Sequence, residues 1–198
     1  MMFACVKVGD KYNDDYVRNL QRGVSQHLRT HKDHVFVCYT DKPIEGVICE
    51  ELPADLPGWW AKIGLFKLRE PMIYFDLDVV ITGNLDRLLE WPGFGIIEDW
   101  HLPGFNSSVM KLTGHEYGVW EKFSPQVMSR LRGDQDFITE ALPHAAMFPT
   151  DWFPSFKGSR CYASPPGGAI AVIMHGKPKP HELLHLDWVN KHWAGEAA

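Results

Sequence analysis

Short apolar runs alternate with stretches in which apolar residues recur three or four positions apart. This exchange of periods predicts strands alternating with helices. Residues 3–8 predict a buried strand, and the polar turn at 9–14 leads into a helical pattern marked by Val17, Leu20, Val24 and Leu28. Residues 34–39 predict a second strand closed by Thr40, Asp41, Lys42 and Pro43, and 46–49 a short third one before a proline-rich connection. Residues 59–68 predict a short helix turning Trp60, Ile63, Leu65 and Phe66 inward, after which Pro71 introduces MIYFDLDVVI, read as one strand over 72–81. Further strands are predicted at 95–97, 108–112 and 169–174, and helices at 117–123 and 134–142. The order is that of an α/β sandwich around a mostly parallel central sheet. The last third, rich in Trp, Pro and Gly, predicts ordered loops over a site and no second domain.

Composition narrows this to one globular domain over 1–198. At 198 residues, 45% hydrophobic and 23% charged, the chain can bury a core without disulfide or metal staples, and it shows no repeat or low-complexity linker. A net charge of -5 speaks against a nucleic-acid partner, because recognition of a phosphate backbone needs a basic face. Cys5, Cys38, Cys49 and Cys161 have no C-x-x-C spacing, and three stand in apolar, strand-like stretches suited to reduced, buried thiols. MMFACVKVGD enters a strand pattern at once, and no apolar run approaches the length of a membrane span. A cytoplasmic protein without a transmembrane segment is the expectation.

Candidate chemistry concentrates in MIYFDLDVVI. The apolar run at 72–75 predicts a central strand, so Asp76 and Asp78 fall where the chain leaves the sheet, and strand alternation would set both on one face. Ligands of open α/β sheets bind beyond the carboxyl ends of the strands, and two hard oxygen ligands there suit Mg²⁺ or Mn²⁺ bridging a diphosphate. Two acids beside four apolar residues would be poorly solvated unless paired or metal-bound, and no basic residue is adjacent to them in sequence.

The chain here resembles the glycogenin and bacterial lipopolysaccharide galactosyltransferase family, retaining glycosyltransferases of the GT-A fold. WAKIGLFKLREPMIYFDLDVVITGNLDRL looks like the family's lysine-bearing helix and D-x-D strand, FNSSVMKL its F-N-S-G-V strand, GDQDFITEAL its D-Q helix and MHGKPKP its closing H-x-x-G-x-K-P motif. The N-terminal match over 8–29 is softer. The resemblance implies a GT-A-like three-layer sandwich and transfer of a hexose, with retention, from a UDP-linked donor to an acceptor such as a glycan, a lipid-linked sugar or a protein. It further implies that Asp76, Asp78 and His175 hold Mn²⁺ or Mg²⁺ and that Gly176 and Lys177 meet the diphosphate. Lys62, Asn106 and Ser107 would bind the donor, Tyr12 would stack on the base, and Asp134 and Gln135 would stand nearest the anomeric carbon as the catalytic pair. The chain departs from the pattern at Ser108, where the family has glycine, at His181, where it has tryptophan, and in a closing motif shorter by a residue.

Two other patterns point elsewhere. FDLDVVIT imitates the nucleophile strand of haloacid-dehalogenase-like phosphatases, with Asp76 as nucleophile and the acids of GDQD as a faint echo of a later motif, although in that class the strand opens its domain. His181, Glu182 and His185 fit the H-E-x-x-H of zinc hydrolases. A third zinc ligand is wanting, since His192 is one place off the longer spacing and Glu196 lies in the tail. The alternative for that segment is an amphipathic terminal helix packing Leu183, Leu184, Leu186 and Trp188 inward. The Trp59-Trp60 and Trp152-Phe153 pairs are candidates to line an acceptor cleft, and His101, His115 and His144 read as surface or satisfied polar residues.

Overall fold

The computed structural model describes residues 1–30 and 33–195. In chain order the elements that frame the site are β1 (Met2–Lys7), α1 (Asp14–His27), β2 (Val35–Thr40), β3 (Ile48–Glu51), a 3₁₀ helix (Gly58–Lys67), β4 (Met72–Phe75) and β5 (Val79–Ile81). They are followed by α2 (Asp86–Glu90), β6 (Gly95–Glu98), β7 (Phe105–Leu112), α3 (Tyr117–Lys122), α4 (Pro125–Arg130), α5 (Asp134–Ala141) and β8 (Ala171–Ile173). The main sheet runs β3-β2-β1-β4-β7-β6. Its first four strands are parallel, and β7 and β6 join antiparallel. A second, two-stranded sheet pairs β5 with β8.

Alternation along β1 and β4 sends side chains to two cores, one on each face. Phe3, Cys5, Ile73 and Phe75 pack with Val17, Leu20 and Val24 of α1 and with the β5–β8 ribbon. Ala4, Met72 and Tyr74 pack on the other face with Ile63 and Phe66 of the 3₁₀ helix and Phe137 and Ile138 of α5. A sheet between two such layers is an α/β sandwich, as the periodicity predicts, with the three layers that the motif resemblance implies. The four cysteines are free thiols, three of them buried. Among the described residues no helix is long and apolar enough to cross a membrane.

Three local readings change. The helix expected at 59–68 is wound as a 3₁₀ helix in which every residue from Trp60 to Phe66 is buried; with no solvent face, packing and not intrinsic propensity sets its geometry. Residues 72–81 form two strands in different sheets. The uninterrupted burial of β4 and β5 hides the change of sheet from any periodicity argument. The C-terminal segment is a 3₁₀ helix (Pro180–Leu183) followed by short helical turns, and Leu184 is 41% exposed instead of packed inward.

The β5–β8 ribbon closes on a glycine contact. Gly83 N and Thr82 N both donate to Ile170 O, at 3.0 and 2.9 Å, and a Cβ on Gly83 would stand 2.1 Å from Ala169 O. Gly83→Ala is therefore expected to cost roughly 2 kcal/mol through forced backbone displacement. For a chain of this size that is a melting temperature lower by about 4–8 °C. An unchanged melting curve would show that this backbone approach is not needed.

Candidate active site

Asp76 and Asp78 belong to a turn, not to a strand: β4 ends at Phe75, and Val79 N donates to Asp76 O at 3.2 Å. Strand alternation therefore does not explain their common orientation. The turn achieves it instead, and both carboxylates line one cavity of about 530 Å³ beside the carboxyl ends of β1 and β4. Ten of the eleven residues singled out from sequence line that cavity: Tyr12, Lys62, Asp76, Asp78, Asn106, Ser107, Asp134, Gln135, His175 and Gly176. The eleventh, Lys177, is exposed and is not among the lining residues, whereas Lys179 is.

Of the two ways to compensate these acids, pairing or a metal, the structure shows pairing, by lysines distant in sequence. Lys62 is almost fully buried and reaches Asp76 at 2.6 Å, Asp134 at 3.4 Å and Ser107 Oγ at 3.2 Å. Tyr74 donates its hydroxyl to the same Asp76 oxygen at 2.6 Å, and Ser107 donates to Asp134. Burial opposes the charge on Lys62, but Asp134 and Asp76 outweigh it and hold the ammonium above its ordinary pKa. Burial also opposes ionisation of both acids. Lys62 and the hydrogen bonds to Asp76 prevail there and lower its pKa, while for Asp134 burial, with the charge of Asp76 added, keeps the pKa raised. One ammonium thus serves two carboxyls of unequal acidity.

Asp78 is held differently. Tyr12 donates to its Oδ2 at 2.9 Å, and Lys179 donates to that same oxygen and, at 3.1 Å, to Met174 O. No described residue donates to Asp78 Oδ1. His175, just past β8, bonds through Nε2 to the fully buried Ser155 Oγ at 2.5 Å, stacks on Trp100 with ring centroids 5.3 Å apart and meets His101 edge-on. Burial first, then the charges of Lys157 and His101, lowers the pKa of the imidazole and favours its neutral form.

Among the described residues, no group of three His, Cys, Asp or Glu side chains is gathered closely enough to hold a metal ion. The donor types nevertheless suit a divalent cation: Asp76, Asp78 and His175 all line the cavity, one oxygen of Asp78 carries no hydrogen bond, and His175 has Nδ1 left beside the Nε2 bonded to Ser155. Asn106 Oδ1 accepts from Ser108 N at 3.0 Å, which leaves its amide hydrogens for a ligand. Gln135 Nε2 donates to Asp99 at 3.4 Å. Gly176 takes φ 68°, a conformation that favours glycine and leaves its backbone open to the cavity.

The zinc-hydrolase motif is not assembled. His181, Glu182 and His185 do not share an α-helical face, since Pro180–Leu183 is a 3₁₀ helix whose Glu182 accepts from Lys179 N at 2.7 Å and whose His181 bonds Tyr16. Glu196 lies outside the described residues. Sequence reasoning also missed groups that complete the site. Tyr74 was hidden in an apolar run, Ser155 in a loop, and His101 had no ligand spacing yet packs on His175. Lys179 had a visible signal, the second lysine of KPKP.

The architecture and the strand-end cavity define a class: this is the GT-A glycosyltransferase fold expected from the motifs. Among solved structures the chain is similar to the galactosyltransferase LgtC in complex with donor and acceptor sugar analogs (TM-score 0.65, 13% identity, 91% of this chain and 89% of that one). It is also similar to the glycosyltransferase GlyE of Streptococcus pneumoniae TIGR4 (TM-score 0.70, 14% identity, 98% and 64% of the two chains). A third match is a glycosyltransferase involved in glycosylation of the major capsid of PBCV-1 (TM-score 0.59, 13% identity, 89% and 95%). At these identities the likeness establishes the fold alone. No protein-family model and no curated protein sequence matches the chain.

Proposed function

We propose that this chain is a metal-dependent glycosyltransferase that moves a hexose from a UDP-sugar to a glycan, lipid-linked sugar or protein acceptor, with retention at the anomeric carbon. The observation that carries the proposal is the meeting, in one strand-end cavity, of acids and lysines from segments far apart in sequence. Such a cavity suits a ligand that is anionic at one end and polyhydroxylated at the other. Retention rests on the motif resemblance. The free thiols support a reducing, cytoplasmic setting.

In this reading Asp76, Asp78 and His175 hold Mn²⁺ or Mg²⁺, which when bound supplies charge neutralisation for the departing diphosphate. Lys62 keeps Asp76 ionised and fixes Asp134 through their shared ion pair. Ser107 and Asn106 bring buried polar groups to the sugar end, and Asp134 and Gln135 open α5 at the same wall. Gly176 offers close backbone approach to the diphosphate, with Lys179 in place of Lys177 as the lysine at that end. Tyr12 lines the cavity as the candidate to stack on the base, with its hydroxyl on Asp78 and its ring packed on Tyr16. Trp59, lining the mouth and 54% exposed, is the aromatic surface best placed for an acceptor sugar.

The expected result of incubating the protein with UDP-glucose, UDP-galactose or UDP-N-acetylglucosamine and Mn²⁺ is release of UDP from one of them, by transfer to water when no acceptor is present. Phosphatase action on a generic phosphomonoester with no UDP release would favour Asp76 as a nucleophile and contradict the proposal. The pinning of Asp76 Oδ1 by both Lys62 and Tyr74 argues against that outcome.

A further inference from the structure

Lys179 and Asp78 form an ion pair at the cavity wall. Lys179 is anchored at its backbone, where its N–H donates to Glu182 Oε2 at 2.7 Å and its carbonyl accepts from Glu182 N at 2.9 Å. The side chain reaches from this fixed point into the cavity and places its ammonium on Asp78 Oδ2, with Met174 O as a second acceptor at 3.1 Å. The two side chains are only 15% and 12% exposed, so solvent screens the pair weakly. A positive group therefore already stands on the acid that a divalent cation needs.

We propose that Lys179 is a built-in cation that a divalent ion must displace from Asp78, and that the diphosphate of the donor is what draws it away. The inference rests on the donor-binding reading above. A dication added at Asp78 with the ammonium still in place would meet like charge across a poorly screened distance. A diphosphate bound in the same cavity offers the ammonium anionic oxygens in exchange for the carboxylate it leaves. Metal and nucleotide then bind cooperatively and reciprocally, because each favours the arrangement in which Lys179 has left Asp78. Tyr12, the other donor to Asp78 Oδ2, stays behind to orient the carboxylate.

Lys179→Met separates this role from a merely structural one, because two affinities move in opposite directions. Mn²⁺ binding is measured from the electron paramagnetic resonance signal of the unbound ion, and UDP binding by titration calorimetry, each alone and with the other present. In Lys179→Met, Mn²⁺ alone is expected to bind about tenfold or more tightly than in wild type and UDP alone about tenfold more weakly, with reduced coupling between them. Lys179→Arg, which keeps the charge, is expected to behave like wild type towards Mn²⁺. Should Lys179→Met fail to fold by circular dichroism, Lys179→Gln supplies the same comparison. Unchanged or weaker Mn²⁺ binding by the folded neutral variant overturns the exchange. If wild type binds no UDP with or without Mn²⁺, it is the donor-binding reading that fails.

Discussion

Replacing Lys62 by Met is expected to reduce hexose transfer by about 100-fold or more and to destabilise the protein at pH 7, with part of the lost stability returning in acid. The variant leaves Asp76 and Asp134, 27% and 7% exposed, without the ammonium they share. Breaking a buried ion pair from one side costs about 3 kcal/mol, or roughly 6–12 °C in melting temperature for a chain of this size.

The pH dependence follows from the direction of the shifts. In wild type the pKa of Asp76 is lowered, so it stabilises the fold above its unfolded pKa and that contribution is lost as pH falls. In the variant the lowering influence of Lys62 is gone, and burial raises the pKa values of both acids. Groups with raised values favour the fold at low pH and oppose it as pH rises through them. The two stability curves therefore converge between neutral pH and about pH 4. Thermal unfolding across that range checks this, and equal melting temperatures at pH 7 would contradict it.

Asp78→Asn is expected to remove the Mn²⁺-dependent part of UDP binding, a loss of about 100-fold or more in affinity. The amide keeps the shape of the carboxylate and can still accept from Tyr12, so far-ultraviolet circular dichroism should be unchanged. In a thermal-shift assay, ligand at 100 times its Kd stabilises by about 2.7 kcal/mol. The expected observation is a clear Mn²⁺-dependent shift with UDP in wild type and none in the variant. An equal shift in both would remove Asp78 from the metal site.

Most of the architecture was legible because burial leaves a periodic trace. β1, α1, β2 and β4 follow from their apolar spacing, and α5 from the pattern around Phe137, Ile138 and Ala141. What was not legible depends on distance in space. The break between β4 and β5 leaves no trace, since both strands are buried throughout. The lysines that compensate Asp76 and Asp78 come from positions 14 and 101 residues away, so a search of sequence neighbours had to miss them. Motif order picked out residues that the fold gathers around one cavity, but within KPKP the choice between Lys177 and Lys179 as a lining residue needed the path of the backbone after β8. His101 and Ser155 became visible only as packing partners of His175.

In the proposed function a nucleoside diphosphate and a divalent ion share the cavity at the ends of β1 and β4. Anomalous diffraction from crystals of the wild-type protein grown with UDP and Mn²⁺ tests it most directly. The expected result is a manganese peak bonded to Asp78, with Asp76 and His175 beside it and diphosphate oxygens completing its shell. Manganese bound at other side chains, or a diphosphate seated outside this cavity, would contradict it.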